Sequence, residues 1–434
     1  MPGSGDGGIS RSCRPNFYSF ARVLFLGLRS CDGGPRSNLR PASRPGGDVL
    51  DDLLHHTVSV PPSSVWTARL PGAPHGPGRP LTVADFTEQV FAHLPRADQR
   101  RWAEVYLAGL LTTRGRKSFR NLALTVPRSA TAARSLRQFI NSSPWPWDPA
   151  RRAIAAQVVA RMPVAAWATG IAVIPKRGEH SVGVHRRFVP EAGRTVNCQL
   201  GIGLFLSSGE TSVPVDWRLL LDDRWCGDER LRSRARLPLS AAAEPVSGHV
   251  LGMVDALTGT GLTPPAPVVA DLRCAPEAGP LVAGLAARGL DFVVELHPSQ
   301  AVLPAAPASA RGTEQPRPLP VGEYAGRGER ARQPQAISAG RADGPVRHLV
   351  VHSGPVRLPV PPEPGHTAPQ PVYRLLTQWS AAERRPIRFW LTPPTDTRAD
   401  EVLSLIRHSV RTQVSLKSLE RDLRPRDSAV PPLP

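Results

Sequence analysis

The chain contains little lysine and little cysteine. Only three of its 54 basic residues are lysines, at positions 117, 176 and 417, so arginine supplies nearly all of the positive charge. The five cysteines, at positions 13, 31, 198, 226 and 274, show no Cys-x-x-Cys spacing. This scatter argues against a zinc site and against a disulfide framework, and it predicts reduced thiols in a cytoplasmic protein.

Long apolar runs are also scarce. The most apolar stretch near the start, residues 17–28, follows Arg11 and Arg14 and is interrupted by Arg22. It is too short to span a bilayer, and no small-residue cleavage site follows it cleanly. The sequence therefore predicts neither membrane insertion nor export.

The charge balance of the chain is strongly basic. The formal net charge is +18 and the sequence pI is about 11.1. A surplus of this size indicates a polyanionic partner, most simply nucleic acid. The alternative is that 49 prolines and abundant arginine reflect a GC-rich genome, in which case the charge is a property of the coding sequence.

A chain of 434 residues is long enough for two or three domains. Its composition divides it into four segments. Residues 1–79 are rich in Gly, Pro, Ser and Arg and predict a flexible extension. Residues 80–165 are predicted to be helical and residues 166–423 to form the core, with a disordered insertion at about 304–345. Residues 424–434 form a tail.

The helical region has two alternative interpretations. Apolar residues recur at helical spacing from Trp102 to Leu110, and Ser118 can cap a short helix that precedes another helix. Two short helices joined by a tight turn resemble a helix-turn-helix motif, which would present four polar residues to DNA. These are Arg128, Arg134, Arg137 and Gln138. The alternative is an ordinary helical bundle with a solvated basic face.

The core predicts an α/β fold. Three consecutive apolar runs, at residues 170–174, 198–206 and 213–217, suit buried strands, with a cationic loop between the first two. Further strands at 266–271 and 291–296 alternate with helices. This order fits a mixed sheet flanked by helices.

An ordered series of residues in this core resembles the DDE-type transposases of bacterial insertion sequences. The residues that carry the resemblance are Pro175-Lys176, Gly178, His180 to Val184, Arg186, Gly193, Asn197 to Gln199 and Asp216 to Leu219. The resemblance extends from about residue 86 to about residue 423. It implies a ribonuclease H-like core, insertion-sequence DNA as the substrate, and a bacterial, nucleoid-associated location. Homo-oligomerisation is a further expectation.

The resemblance also implies a site for two divalent metals, Mg²⁺ or Mn²⁺, held by three carboxylates. The second acid corresponds to Asp271, the predicted metal ligand. The first falls on Gly170 and Ile171, and no carboxylate occurs between Asp148 and Glu179. The third falls on Gln413, with Glu420, seven residues later, as a candidate displaced acid. We therefore expect a degenerate catalytic site. The alternative to metal binding by Asp271 is a solvated residue at the end of a strand.

Cations and other polar groups of the core complete the set of candidates. The predicted DNA-binding residues are Arg116, Lys117, Lys176, Arg186, Arg187 and Arg411. The alternative for all six is a generic basic surface. His180 and His185 are expected to be exposed or to contact phosphate. Asp216, which begins an acidic stretch, is expected to lie in a solvated charged loop.

Three hypotheses follow from the sequence. The first is a transposase-family protein that binds DNA and has an impaired active site. The second is an active enzyme that uses a rearranged carboxylate set containing Asp271 and Glu420. The third is a non-enzymatic interaction scaffold whose charge reflects base composition alone.

Overall fold

A computed structural model describes residues 83–423. Within that range it omits 114–116, 127–128, 130, 142, 144–145, 177, 180, 190–192, 236, 238–240, 274–276, 306–316, 328–333, 340–346, 360–370, 381–384 and 395–397. The predicted N-terminal extension and the C-terminal tail, together with Arg116, Arg128 and His180, lie outside the described residues.

The first part of the described chain is helical, as predicted. Its helices are α1 (Val83–Phe91), α2 (Ala97–Thr112), α3 (Phe119–Leu122), a 3₁₀ turn (Ala123–Thr125), α4 (Ala132–Asn141) and α5 (Asp148–Val159). The hydroxyl of Ser118 accepts a hydrogen bond from the backbone N–H of Asn121, so Ser118 caps α3 as expected.

A mixed sheet forms the core. Its strands in chain order are β1 (Ala166–Pro175), β2 (His185–Val189), β3 (Arg194–Ser207), β4 (Ser212–Leu220), β5 (Val268–Leu272), β6 (Phe292–Leu296), β7 (Ala301–Pro304), β8 (Leu319–Pro320), β9 (Pro334–Ala339), β10 (Arg347–Arg357), β11 (Tyr373–Ser380) and β12 (Arg385–Thr392). The helices between and after these strands are α6 (Asp223–Gly227), α7 (Glu229–Ala235), α8 (Val246–Thr258), α9 (Gly279–Ala287), α10 (Val321–Arg327) and α11 (Ala399–Leu423).

The centre of the sheet has the predicted ribonuclease H-like order. Strands β1, β3 and β4 pair in antiparallel fashion, while β5 runs parallel to both β1 and β6. The indole of Trp217 on β4 lies over Gly201 and Gly203 of β3, where an added Cβ atom would come within 2.5–2.6 Å of the ring. Glycine is therefore required at these two positions by the close approach of Trp217.

The predicted cationic loop is partly a strand, so that expectation was wrong. Strand β2 pairs with the first residues of β3, from His185 opposite Cys198 to Val189 opposite Arg194. The sequence of β2 is short and charged, which hides its strand character when the periodicity alone is considered.

Two other expectations are corrected. The predicted disordered insertion at 304–345 contains ordered elements, β8, α10 and β9, among its described residues. The polar stretch after β4 is not a loop, because it forms α6 and α7. Asp222 starts α6 by accepting a hydrogen bond from the backbone N–H of Trp225.

Helix α11 packs across β1, β3, β4 and β5. A row of polar contacts joins it to the sheet. The hydroxyl of Ser207 lies 2.8 Å from Nδ1 of His408, and the hydroxyls of Ser212 and Thr412 are 2.7 Å apart. Ser415 donates a hydrogen bond to the backbone carbonyl of Ser212. These contacts fix which face of α11 meets the end of the sheet.

The helical region and the sheet share one buried apolar cluster. The cluster includes Phe86 of α1, Tyr106 of α2, Leu204 of β3 and Val294 of β6. No helix within the described residues is both long and apolar enough to cross a membrane.

Candidate active site

Asp271 lies at the carboxyl end of β5, a central strand of the sheet. Its burial, with only 9% of the residue exposed, contradicts the expectation of a solvated strand-end residue. A carboxylate that leaves water at this depth needs hydrogen-bond donors or a cation to remain ionised. The surroundings of Asp271 therefore indicate what the site can do.

Arg273, two residues further along the chain, provides most of those donors. Its guanidinium Nε lies 3.1 Å from Oδ1 of Asp271 and its Nη2 lies 2.7 Å from Oδ2. The backbone N–H of Arg273 donates to Oδ1 as well, at 3.0 Å. Burial alone raises the pKa of Asp271, but the hydrogen bonds and charge of Arg273 outweigh it, so this pKa lies below its usual range.

Gln413 provides a further donor from α11. Its Nε2 lies 3.1 Å from Oδ2 of Asp271. The position predicted to correspond to the third acid is therefore brought next to the second acid in space. If this predicted correspondence holds, an amide nitrogen stands where the resemblance implies a carboxylate, and it donates to Asp271.

The predicted position of the first acid is filled by packing. Gly170 lies on β1, beside β5, and a Cβ atom added there would come within 2.5 Å of Leu416 Cδ1. The methyl group of Thr412 would lie 3.0 Å from that Cβ. Because α11 packs directly on this point of β1, a side chain at residue 170 would require Leu416 and Thr412 to move.

Glu295, which the sequence reasoning missed, forms the other half of this cluster. It lies on β6 directly opposite Asp271 and is only 2% exposed. Arg388 of β12 binds it through two hydrogen bonds of 2.8 Å each, and Arg273 approaches it at 3.5 Å. The guanidinium of Arg388 also lies 5.1 Å from the centre of the Trp390 ring.

The cluster of Asp271, Glu295, Arg273 and Arg388 is neutral overall, because two carboxylates face two guanidinium groups. Bidentate pairing of this kind satisfies the oxygens of both acids. A signal for the cluster exists in the sequence, since Glu295 interrupts an otherwise apolar strand and Arg388 lies between Ile387 and the apolar run from Phe389 to Leu391. The two residues are 93 positions apart, and their pairing follows only from the sheet topology.

Glu420 lies on α11 seven residues after Gln413, which corresponds to roughly 10 Å along the helix axis. Its side chain lies outside the described residues. A role for Glu420 as a displaced ligand therefore stays a prediction.

The predicted DNA-binding cations lie in unlike surroundings. Lys117 donates to the backbone carbonyls of Leu110, at 2.8 Å, and Thr113, so its amine closes the end of α2. Lys176 is half-buried, and burial lowers its pKa. The sequence did not indicate the hydrogen bonds of Lys117 or the partial burial of Lys176.

The remaining core cations face outward to different degrees. Arg186 on β2 is exposed, while Arg187 is half-buried. Arg411 on α11 is half-buried, and its pKa is lowered by burial and by neighbouring Arg407. In the helical region Arg134, Arg137 and Gln138 all lie on the exposed face of α4.

Asp216 is buried and structural, which corrects the expectation of a solvated loop. Its Oδ1 lies 2.7 Å from Nε of Arg151 on α5, and its Oδ2 lies 3.1 Å from Nη2 of Arg218. The ion pair with Arg151 ties the helical region to β4. His185, expected to be exposed or at a phosphate, is half-buried with Nδ1 3.7 Å from Oδ2 of Asp222.

Comparison with known protein families identifies the group to which this arrangement belongs. Residues 89–348 match the family described as DDE superfamily endonuclease, and this match covers more than half of the chain. The protein belongs to that family. None of the curated proteins matches the chain.

Endonucleases of this family typically use a divalent metal and act on DNA. Mg²⁺ and Mn²⁺ require oxygen ligands, chiefly carboxylates. The described residues contain no group of three or more His, Cys, Asp or Glu side chains placed to hold a metal. Asp271 is bound by the N–H donors of Arg273 and Gln413, and the neighbouring Glu295 is bound by Arg388, so the donor set does not fit a two-metal centre.

Proposed function

We propose that this protein binds DNA and that its endonuclease centre is impaired. The proposal is carried by one observation, the contact of Asp271 with both Arg273 and Gln413. Each oxygen of Asp271, the predicted metal ligand, receives at least one N–H donor from the protein. The family membership supports DNA as the substrate class.

Two-metal cleavage needs one cation to activate the attacking water or hydroxyl and a second to stabilise the leaving oxygen. Both depend on several carboxylates that converge on one point. In this chain Asp271 and Glu295 are the acids at the end of the sheet, and each is bound by an arginine. We infer that the step lost is nucleophile activation, whereas attraction of the DNA backbone needs only the basic surface.

The net charge of +18 supports DNA binding that is dominated by phosphate contacts. On this proposal Arg186, Arg187 and Arg411, with the exposed face of α4, form the surface that meets the duplex. The helical region at 80–165 and the core at 166–423 then act together on one DNA molecule. The sequence resemblance supports insertion-sequence ends in a bacterial nucleoid as the target, and a homo-oligomer as the working form.

The test is a salt-titrated DNA-binding assay on the full chain, with and without Mn²⁺, in which strand cleavage is scored on the same gel. We expect affinity to fall steeply with added salt, no cleavage with or without Mn²⁺, and equal binding by Asp271→Asn. Asparagine keeps the size of the side chain, so this variant is a matched control for the charge.

Two outcomes would contradict the proposal. Metal-dependent cleavage that disappears in Asp271→Asn would establish an active enzyme, and Glu420→Gln would then show whether the rearranged carboxylate set carries the reaction. A folded protein that neither binds nor cleaves DNA would favour the third hypothesis, the non-enzymatic interaction scaffold.

A further inference from the structure

Strands β2 and β3 form a two-stranded ribbon that extends past the rest of the sheet. The pairing of β1 with β3 ends at Pro175 opposite Cys198. Among the described strands, only β2 pairs with the preceding residues of β3, from Arg194 to Asn197. At about 3.4 Å per residue, the ribbon extends roughly 14 Å beyond Cys198.

The base of the ribbon is anchored on one of its two faces. The indole Nε1 of Trp225 donates a hydrogen bond of 2.9 Å to the backbone carbonyl of Val184, immediately before β2. Val196 packs against the main apolar cluster, and Cys198 is buried. These contacts determine which face of the ribbon points inward.

The other face is open to solvent and holds four side chains. Arg186 lies opposite Asn197, and Phe188 lies opposite Thr195. Residues two apart on a strand share a face, so these four side chains form one surface patch. Arg186 and Thr195 are exposed, Asn197 is half-buried and Phe188 is 58% exposed.

The composition of this patch matches the chemistry of base edges. Arginine binds guanine through O6 and N7, and asparagine binds adenine through N6 and N7. Threonine contacts either kind of base, and phenylalanine contacts the thymine methyl group.

The shape and charge of the ribbon fit the same ligand. The major groove of B-form DNA is about 12 Å wide and admits a two-stranded β-ribbon. Arg187 and the exposed Arg194 lie on the opposite face of the ribbon, the face of Val196 and Cys198, and they add to its positive charge. The described residues of the ribbon, 185–189 and 193–198, include no acid, and Glu191, which follows β2 in the sequence, lies outside the described residues.

We propose that the ribbon enters the major groove of duplex DNA and reads its sequence through Arg186, Phe188, Thr195 and Asn197. This inference rests on the proposed DNA-binding function and adds a sequence-reading element to it. The phosphate-binding surface provides affinity, and the ribbon distinguishes one DNA sequence from another.

The first test is selection of binding sites from a randomised duplex library by the full chain. We expect the natural protein to enrich a short motif. The double variant Thr195→Ala/Asn197→Ala should lose about tenfold or more of its preference for that motif, while its non-specific affinity stays within about twofold. Thr258→Ala, at the exposed end of α8, is the control and should leave the motif unchanged.

A second test isolates Phe188. Replacement of each thymine of the selected motif by uracil removes only the methyl group that phenylalanine would contact. We expect at least one such replacement to weaken binding by the natural protein severalfold and to have no effect on Phe188→Ala. Equal sensitivity of both proteins to every replacement would contradict the assigned contact.

The outcomes separate this inference from the proposed function. DNA binding without sequence preference, or an unchanged motif in Thr195→Ala/Asn197→Ala, overturns the ribbon's role and leaves the proposed function intact. Absence of any DNA binding by the natural protein overturns both. If sedimentation shows that the ribbon variants dissociate an oligomer while the motif persists, the free edge of β2 is an interface between copies and the inference is wrong.

Discussion

The end of the sheet at Asp271 and the ribbon of β2 and β3 use charge in opposite ways. At Asp271 and Glu295, buried carboxylates are each bound by a guanidinium, and α11 covers the adjacent end of β1. On the ribbon, Arg186 and Arg194 point to solvent. The same residue type therefore neutralises the interior in one region and faces outward in the other.

This difference teaches that net charge alone does not locate a binding surface. Arg388 and Arg151 contribute to the net charge of +18 as much as Arg186 does, yet both form ion pairs with buried acids. Buried pairs are costly to break and contribute little to a field outside the protein. Exposed cations without such partners determine how the molecule meets a polyanion.

The largest expected effect comes from breaking the buried cluster. Arg388→Met should lower the free energy of unfolding by about 3–5 kcal/mol, because Glu295 would then remain buried with its main partner removed. Urea unfolding of the full chain at pH 7 measures this loss. Arg398→Gln, at an exposed ion pair with Asp400, is the control and should leave the unfolding midpoint unchanged.

A smaller loss is expected where α11 presses on β1. Gly170→Ala should destabilise the protein by about 1–3 kcal/mol, because the new methyl group would lie 2.5 Å from Leu416. In a Leu416→Ala background the same substitution should cost clearly less, since the obstructing side chain is gone. Additive losses in the double variant would contradict the assigned contact.

The polar contacts of α11 predict a pH dependence. Burial, and then the charge of Arg411, lower the pKa of His408 to about 4 from its ordinary 6.5. The unfolded chain therefore binds more protons between these values, and stability is lost as the pH falls through this window. We expect His408 to account for about 2 kcal/mol of loss between pH 7.5 and pH 5.

Urea unfolding of the natural protein and of His408→Gln at both pH values measures this contribution. The variant should be less stable at pH 7.5, because it loses the contact with Ser207, but its stability should change less between the two values. An equal change in both proteins would show that His408 does not control the response to acid.

The smallest effect on stability is expected on the ribbon. Arg186→Gln should change the free energy of unfolding by less than about 0.5 kcal/mol, because the side chain is exposed. It should nevertheless weaken DNA binding, whereas Arg388→Met disturbs the fold. A large loss of stability from Arg186→Gln would remove the contrast between the two regions.

The sequence predicted the regular elements of the fold well. The apolar spacing of residues 400–423 is long and regular, which predicts one helix, and the helix is observed at Ala399–Leu423. The strands at 266–271 and 291–296 were placed to within about two residues of β5 and β6. Period and turn residues are local signals, so one sequence is enough to read them.

The contacts around the site were harder to predict from the sequence. The predicted correspondence of Gln413 to an acidic position placed it in the right neighbourhood, but its hydrogen bond to Asp271 spans 142 residues. Glu295 was missed because its meaning depends on Arg388, which a different strand supplies. The burial of Asp216 likewise depends on Arg151, a residue of the helical region.

The measurement that tests the central claim most directly is a titration of the full chain with Mn²⁺, followed by electron paramagnetic resonance of the free ion. We expect the natural protein and Asp271→Asn to bind Mn²⁺ equally and weakly, because Arg273 and Gln413 occupy the carboxylate. A saturable Mn²⁺ site that is lost in Asp271→Asn would contradict the account and would establish Asp271 as a metal ligand.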